Sequence, residues 1–322
     1  MIRIITWNIL SPEISNYQGF INYNPEVLNK KNRLYRIIRI LSEWVKQGVP
    51  PIINFQEVPL YWNGILNTFF QNNNYIFLAM NYGNKESGFV SIATAIPKIY
   101  KIVDIEYIPI GDRLVLPTVD EIYYKLNYPA NYLTESIIKN SFPLSDNQVK
   151  PIKDIIKKAD DNQNIAIKIM LKRDFPFVVY NYHMPHDESA RKIHMNSLKL
   201  LLCQNIGYPL ILAGDMNFIP DSLEYNYITE NELPEKAFIK KDCNLILKSA
   251  FKEVHRREPE NTIYVNTKLT NGIFRTTLDY IFISNQLKTI DSKVLLNTNQ
   301  IIPNATCPSD HMPLEATVMH IK

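Results

Sequence analysis

Carboxylate, amide and imidazole side chains recur in this sequence where apolar, strand-like runs end. The apolar run at 210–213 breaks at Gly214, and Asp215 and Asn217 follow it. Two residues apart on an extended chain, a carboxylate and an amide point to the same side, so this pair would aim an acceptor and a donor into one cleft. The alternative is a plain turn, because Asp and Asn commonly form turns after strands.

Complementary groups lie at or near the ends of four other strand-like runs, at 2–10, 52–58, 175–185 and 276–284, and just before the last strand. The full set of candidate groups is Asn8, Glu57, His183, Asp215, Asn217, Asp279, Asp310 and His311. In a packed α/β sandwich such ends converge on one rim. An aspartate inside an apolar strand, as at Asp279, is costly unless it ligates a cation or pairs with a histidine, which would fix a tautomer and favour the imidazolium. A satisfied buried amide is the alternative for Asn8.

These group types suit hydrolysis of a phosphodiester. That reaction needs a deprotonated water, neutralisation of charge on the phosphoryl oxygens and stabilisation of the leaving oxygen. Carboxylate and amide oxygens favour hard cations, Mg²⁺ or Mn²⁺, and the histidines and cysteines are not spaced for zinc. The sequence has no GxSxG elbow and no P-loop, which argues against acyl transfer and hydrolysis of nucleoside triphosphates.

Two amphipathic helices are predicted to cover the sheets. The helix at 30–46 places apolar residues on one face and Arg33, Arg36 and Glu43 on the opposite, charged face. The helix at 187–205 carries Arg191 in its first turns. Arg191 is a candidate phosphate contact, and a solvated helix face is the alternative.

Length and composition predict an ordinary globular protein. The chain has 322 residues, 46% hydrophobic and 21% charged, with a net charge of +3 that permits a phosphate-bearing substrate without requiring one. A single α/β domain over 1–322 is expected, with an insertion-like excursion at about 117–163, where the apolar periodicity weakens. The three cysteines are odd in number and no two have the spacing of zinc ligands, which predicts free thiols. A strand pattern from Ile2 leaves no room for a signal peptide, and no apolar run could span a membrane, so an intracellular protein, cytoplasmic or nuclear, is expected.

Six short motifs in order then carry a family resemblance. TWNIL, QEV, HMP, GDMN, LDYIF and SDHMPL resemble the endonuclease/exonuclease/phosphatase superfamily with the deoxyribonuclease-I-like fold, over nearly the whole chain. The resemblance implies a four-layer α/β/β/α sandwich of two mixed β-sheets flanked by helices. It also implies phosphoester hydrolysis that depends on a divalent metal, Mg²⁺ or Mn²⁺.

The resemblance assigns a role to each candidate residue. Glu57 would be the principal metal ligand, with Asn8 beside it, and Asp310 would bind or orient the metal. Asp215 would activate the water, and Asn217 would hold a phosphate oxygen. His183 and His311 would stabilise the pentacovalent phosphate, and Asp279 would orient a histidine.

Within the superfamily the sequence most resembles the deadenylase branch, which includes nocturnin and Angel relatives. NIL after Trp7, PDSLEYNYI after GDMN and LDYIFIS carry that resemblance. It makes Phe274, five residues before Asp279, a candidate for stacking on a base, with loop packing as the alternative. The leading expectation is a 3′-exoribonuclease of deadenylase type that acts on single-stranded RNA. The alternatives are a DNA nuclease, an inositol-phosphate or lipid phosphoesterase of the same fold, and a non-catalytic binding module.

Overall fold

The computed structural model describes residues 1–83, 90–111, 164–230 and 244–321, with a few isolated positions between 112 and 163. Its strands, in chain order, are β1 (Ile2–Asn8), β2 (Ile52–Pro59), β3 (Tyr75–Tyr82), β4 (Val90–Pro97), β5 (Lys101–Pro109), β6 (Val115–Leu116), β7 (Tyr124–Lys125), β8 (Ile165–Lys172), β9 (Pro176–His183), β10 (Leu210–Asp215), β11 (Leu247–Ser249), β12 (Ile263–Thr267), β13 (Gly272–Thr276), β14 (Asp279–Ser284), β15 (Leu287–Val294) and β16 (Leu314–His320). Its α-helices are α1 (Pro12–Gln18), α2 (Pro25–Leu28), α3 (Lys30–Trp44), α4 (Asn63–Asn72), α5 (Glu188–Cys203), α6 (Leu223–Thr229) and α7 (Ala250–His255), and a 3₁₀ turn spans Leu60–Trp62.

Two six-stranded mixed sheets form the body of the protein. The first has the order β15-β16-β1-β2-β4-β3 and the second β11-β14-β10-β9-β8-β5. Each sheet contains one parallel pair at its centre, β1 with β2 and β9 with β10, and its other pairs are antiparallel. The carboxyl ends of both parallel pairs carry candidate residues from the sequence. The predicted α/β class with two mixed sheets and flanking helices is confirmed.

Apolar side chains fill three layers around the sheets. One cluster lies between the sheets, a second joins the outer face of the first sheet to α3 and α4, and a third joins the outer face of the second sheet to α5 and α6. In α3 the buried stripe includes Ile37, Leu41 and Trp44, as the periodicity predicts. The prediction is wrong for Arg33, which is fully buried instead of lying on the charged outer face.

A small antiparallel hairpin, β12 with β13, stands beside the two main sheets. Its base packs through Ile263, Val265 and Leu278, with Phe20 and Phe274 partly buried against them. Phe20 also bridges to Thr267. The loop after α1 therefore holds the hairpin in place.

Three further expectations concern residues away from the sheets. The excursion at 117–163 lies almost wholly outside the described residues, so the single-domain prediction stays a prediction. Cys203 is disulfide-bonded, which contradicts the expectation of free thiols, whereas Cys307 is free and buried and Cys243 lies outside the described residues. In the described part of the chain, no helix combines the length and apolar character that a membrane span requires.

Candidate active site

The register of the second sheet brings three of the candidate residues together. Asp215 at the end of β10 pairs with His183 on the parallel strand β9 and with Asp279 on the antiparallel strand β14. Asp215 Oδ2 lies 3.6 Å from His183 Nε2 and 3.7 Å from His311 Nε2. One carboxylate therefore stands between two imidazoles.

The first sheet contributes Asn8 and Glu57 to the same point. Asn8 Nδ2, at the end of β1, donates to Glu57 Oε1 at 2.9 Å and to Asp215 Oδ2 at 3.0 Å. The second of these hydrogen bonds crosses from one sheet to the other. The convergence that the strand ends predict is thus present, and it joins both sheets.

A β-bulge turns Glu57 into the site. On β2, Phe55 faces the outer helices and Gln56 faces the second sheet, so strict alternation would point Glu57 outwards. The register with β4 shifts between Phe55 and Val58, and Glu57 has a φ of 56°. Such a left-handed conformation costs about 1–3 kcal/mol and is held where the surroundings over-determine it. The backbone N–H of Ser11 then donates to Glu57 Oε2 at 3.2 Å.

The turn after β10 depends on the close approach of Gly214 to β9 and on the positive φ of Asn217. A Cβ at Gly214 would lie 1.8 Å from the carbonyl oxygen of Tyr182, so only glycine fits between β10 and β9. Asn217 has a φ of 51°, and its backbone N–H donates to Asp215 Oδ1 at 3.0 Å. Its side chain donates to the carbonyl oxygen of Met184 at 2.8 Å. The GDMN segment is therefore both a turn and a means of holding Asp215 still.

Asp279 and His311 form a buried charged pair. Asp279 Oδ2 lies 2.8 Å from His311 Nδ1 and also accepts from Thr262 Oγ1 at 2.6 Å. Burial raises the pKa of Asp279 to about 6, although His311 opposes the rise. Burial by itself lowers the pKa of His311, but Asp279 and Asp215 outweigh it and hold that pKa well above its ordinary value. His311 is therefore an imidazolium at neutral pH, with Nε2 directed towards Asp215.

His183 is held by a residue that the sequence reasoning missed. The hydroxyl of Tyr82, at the end of β3, lies 2.6 Å from His183 Nδ1. Burial raises the pKa of Tyr82 well above its ordinary value, so the phenol keeps its proton. We infer that it donates to Nδ1, which leaves the ring proton on Nε2, facing Asp215. The signal was available, because Tyr82 also ends a strand, directly before Gly83.

A layer of buried polar side chains lies beneath the site, between the two sheets. Gln56 Nε2 donates to Thr6 Oγ1 at 3.1 Å and to Asn181 Oδ1 at 2.8 Å. Asn181 in turn donates to the backbone of β4 and to Thr94 Oγ1. Gln56 directly precedes Glu57 on β2. Thr6 lies two residues before Asn8 on β1, and Asn181 lies two residues before His183 on β9. This polar layer therefore fixes how the two sheets face each other at the strand ends that carry the candidate residues.

Two acidic groups, Glu57 on β2 and Asp310 in the loop before β16, fit a cation. Burial raises the pKa of Glu57, His183 opposes the rise, and the nearby carboxylate of Asp310 adds to it. Burying two carboxylates side by side is unfavourable unless a positive charge compensates them. Carboxylate and amide oxygens are ligands that Mg²⁺ and Mn²⁺ accept. The donor chemistry of Asn8, Glu57 and Asp310 thus fits the predicted hard cation, and their assignment as ligands stays a prediction.

A second group of ligand atoms combines two residues of the second sheet with His311 in the loop before β16. Asp215, Asp279 and His311 each offer a ligand atom, and these atoms lie within 4.8 Å of one another. Asp279 Oδ1 has no hydrogen-bond partner among the described residues. The sequence reasoning assigned these three residues to catalysis and did not consider them as a metal site. A charged His311 would be unable to ligate, because both of its ring nitrogens carry protons.

Most of the candidate residues line one cavity of about 530 Å³, although Asn8, Asp279 and Arg191 are not part of its lining. Its polar lining includes Glu57, His183, Asp215, Asp310 and His311, and apolar side chains on and beside the β12–β13 hairpin form an apolar wall. The residues of that apolar wall are Ile263, Val265, Leu269, Phe274 and Leu278. Phe274 thus lies in the cavity lining, and its role in stacking on a base stays a prediction. Exposed His186 lies at the mouth and was also missed by the sequence reasoning.

Arg191 forms an ion pair with Glu224. It lies outside the cavity lining, where its Nε donates to Glu224 Oε1 at 3.0 Å and its Nη1 donates to the carbonyl oxygen of His186. These contacts join α5 to α6 and to the loop before α5. A phosphate-binding role for Arg191 stays a prediction.

The chain belongs to the endonuclease/exonuclease/phosphatase family, whose model matches residues 5–311. The family resemblance is thereby confirmed, and the protein is a phosphoester hydrolase of that family. A curated relative, Carbon catabolite repressor protein 4 homolog 4 of Arabidopsis thaliana, is 28% identical over 239 residues. That match covers 62% of this chain and 55% of the relative, so the chain spans little more than half of that protein's length.

Solved structures with the same fold include two from the predicted branch. The human nocturnin catalytic domain with a bound sulfate superimposes with a TM-score of 0.62 and 18% identity, over 99% of this chain and 93% of that one. ANGEL2, described as a 2′,3′-cyclic phosphatase in complex with adenosine-2′,3′-vanadate, gives a TM-score of 0.65 and 15% identity, over 98% of this chain and 94% of that one. At these identities the likeness establishes the fold.

Proposed function

We propose that this protein is a metal-dependent phosphodiesterase that hydrolyses single-stranded RNA from its 3′ end, as a deadenylase does. The observation that supports the proposal is the cavity, whose lining combines polar groups suited to a phosphoryl group with an apolar wall suited to a base. The similarity to the Arabidopsis relative supports the deadenylase branch. Because the match covers only 55% of that relative, the substrate is part of the proposal and is tested directly.

The residues divide the reaction between them. Asp215 accepts a proton from the attacking water, whose oxygen bonds to phosphorus as the ester oxygen leaves. His183 Nε2 and the His311 imidazolium donate hydrogen bonds to the phosphoryl oxygens, where charge develops. A divalent cation held by Glu57, Asp310 and Asn8 would supply Lewis-acid stabilisation of that charge.

The remaining residues position these groups. Asp279 keeps His311 charged and oriented, and Tyr82 sets the tautomer of His183. Asn217 uses one amide N–H on the carbonyl oxygen of Met184, which leaves the second to donate to a phosphate oxygen. On the apolar wall, Phe274 stacks on the base next to the scissile phosphate.

A substrate panel tests the proposal. It contains 5′-labelled oligoadenylate, mixed-sequence RNA, single- and double-stranded DNA, 2′–5′ oligoadenylate, a nucleoside 2′,3′-cyclic phosphate and inositol phosphates, each with Mg²⁺, with Mn²⁺ and with EDTA. We expect metal-dependent shortening of oligoadenylate from its 3′ end. Glu57→Gln and Asp215→Asn should be inactive while they unfold cooperatively like the wild type.

Each contrary outcome identifies a different error. Full turnover with EDTA, or in Glu57→Gln, contradicts the metal dependence. Turnover of the cyclic phosphate or inositol phosphates alone replaces the RNA substrate with a small phosphoester, and turnover of duplex DNA alone indicates a DNA nuclease. No hydrolysis of any substrate supports the non-catalytic alternative.

A further inference from the structure

Arg33 is a charged side chain that is fully buried beside the candidate metal site. It lies in the first turns of α3, in helical register with the apolar residues Ile37 and Leu41, which pack on the outer face of the first sheet. A guanidinium in such a position is unfavourable unless its donors find acceptors. Its partners therefore indicate what it does.

The guanidinium joins two loops that are far apart in the sequence. Arg33 Nε donates to the carbonyl oxygen of Pro308 at 2.7 Å. Its Nη2 donates to the carbonyl oxygen of Ile9 at 2.6 Å and also to that of Leu10. Ile9 and Leu10 directly follow Asn8, and Pro308 lies two residues before Asp310. The guanidinium group thus holds the segments that carry Asn8 and Asp310, two of the three proposed ligands.

The loops that it holds are not regular structure. Leu10 has a φ of 55°, and beyond β1 the chain turns so that the backbone N–H of Ser11 reaches Glu57. On the other side, Ser309 Oγ donates to the carbonyl oxygen of Asn8 at 2.7 Å. Arg33 and Ser309 therefore both connect the segment at Asn8 to the segment before Asp310. Because neither segment belongs to a ladder at these carbonyl groups, side-chain donors replace the missing strand partners.

The charge of Arg33 also acts on the site. Burial lowers its pKa to about 10, and the carboxylates of Asp310 and Glu57 oppose that fall, so it stays protonated at neutral pH. Nη1 has no hydrogen-bond partner among the described residues, and the guanidinium carbon lies 5.7 Å from the ring centre of Trp62. A fixed positive charge here partly compensates the acidic pair and would also repel a bound cation.

We propose that Arg33 is a positioning residue that ties the loop after Asn8 to the loop before Asp310 and so builds the cation site before the cation arrives. The inference rests on the proposed metal-dependent function. Position and charge act in opposite directions on cation affinity. The geometric tie strengthens binding, because the ligands need not be ordered on binding, whereas the charge weakens it.

Lysine and methionine at position 33 separate the two contributions. Arg33→Lys keeps the charge but replaces the planar fork with a single ammonium group, which is unable to reach all three carbonyl oxygens in the same geometry. Arg33→Met removes both and fills much of the same volume. Arg36 offers a matched control one turn along α3, because it too donates to backbone carbonyl oxygens, those of Asn304 at 2.6 Å and Val27 at 2.9 Å.

The measurement is the affinity for Mn²⁺, by calorimetry and by electron paramagnetic resonance, on the wild type, both variants at position 33, Arg36→Lys and Arg36→Met. Thermal unfolding in EDTA reports whether each variant is folded. We expect Arg33→Lys to bind Mn²⁺ about 10- to 100-fold more weakly, as is typical when a group supporting a metal ligand is lost. The variants at position 36 should stay within about 2-fold of the wild type.

The outcomes separate this inference from the function on which it rests. If Arg33→Lys folds and binds Mn²⁺ as tightly as the wild type, the positioning role is overturned. If, in addition, Arg33→Met binds Mn²⁺ more tightly than the wild type, only the charge of Arg33 affects the affinity. If Arg33→Lys does not fold, Arg33→Met decides: loss of the charge by itself would tighten Mn²⁺ binding, so weaker binding supports the positioning role and unchanged or tighter binding overturns it. A wild-type protein that binds neither Mn²⁺ nor Mg²⁺ refutes the metal-dependent function itself.

Discussion

Acidification should destabilise this protein through one buried histidine, His194 on α5. Its Nδ1 lies 2.7 Å from the Tyr182 hydroxyl, and its Nε2 lies 2.8 Å from the carbonyl oxygen of Ala159. Burial raises the pKa of Tyr182 well above its ordinary value, so its hydroxyl is a donor, and His194 satisfies both contacts only as a neutral ring. Burial lowers the pKa of His194 from 6.5 to about 4.

The sign and size of the effect follow from these two pKa values. The unfolded chain binds a proton near pH 6.5 and the folded protein only near pH 4, so stability falls as the pH drops through that interval. Each pKa unit corresponds to about 1.4 kcal/mol, so full protonation costs about 3.5 kcal/mol and the loss at about pH 4.5 is about 2.5 kcal/mol. Tyr182 directly precedes His183, one of the candidate catalytic residues.

His194→Gln is the test, because glutamine can accept from Tyr182 and donate to Ala159 without titrating. The free energy of unfolding is measured in urea at about pH 7.5 and about pH 4.5 for both proteins. The wild type should lose about 2.5 kcal/mol more than the variant between the two values. Other acid-sensitive groups are shared by both proteins and cancel in this difference.

His255 supplies the control and the refutation. The ring of His255 contacts the carbonyl oxygen of Ser292 at 2.7 Å, as His194 contacts that of Ala159, but His255 is exposed. His255→Gln therefore removes an exposed histidine and serves as the control for the removal of the buried His194. Equal acid sensitivity in the wild type and His194→Gln would show that the reasoning from burial is wrong. An equal effect from His255→Gln would show that it is not specific to His194.

Three further predictions follow from contacts at the site. Tyr82→Phe removes the donor to His183, so kcat should fall by up to about 10-fold with KM unchanged; a change in KM alone would contradict the role. Gly214→Ala should destabilise the protein by at least about 3 kcal/mol in urea unfolding, because its Cβ meets the backbone of β9, whereas Gly64→Ala, with open space around it, should be neutral or stabilising. Phe274→Ala should cost about 1–3 kcal/mol in kcat/KM on oligonucleotides; an equal loss on a phosphodiester without a base would exclude stacking.

The local pattern of the sequence determined the kinds of groups and the strands that carry them. Apolar runs that stop at Asn8, His183 and Asp215 could be recognised because burial on both faces of a strand needs apolar side chains throughout, which makes a polar residue at its end conspicuous. The motif order then indicated the family, and with it the two-sheet architecture. The resemblance to the deadenylase branch likewise singled out Phe274, which lies in the cavity lining.

Other features depended on contacts between distant segments. Alternation along β2 points Glu57 away from the site, and only the bulge against β4 reverses it. A helical pattern identifies Arg33 as charged, but its burial depends on carbonyl groups at Ile9 and Pro308, which the fold supplies. Tyr82 gains its role from His183, 101 residues away in the chain.

The physical reason for this division is range. Burial periodicity and group chemistry are properties of neighbouring residues, so the sequence by itself determined the elements and the reaction type to which they are suited. Strand register, bulges and the partners of buried polar groups minimise a free energy summed over both sheets. Only the tertiary structure therefore decided that Asn8 reaches across to Asp215 and that Arg33 is buried against the loops beside Asn8 and Asp310.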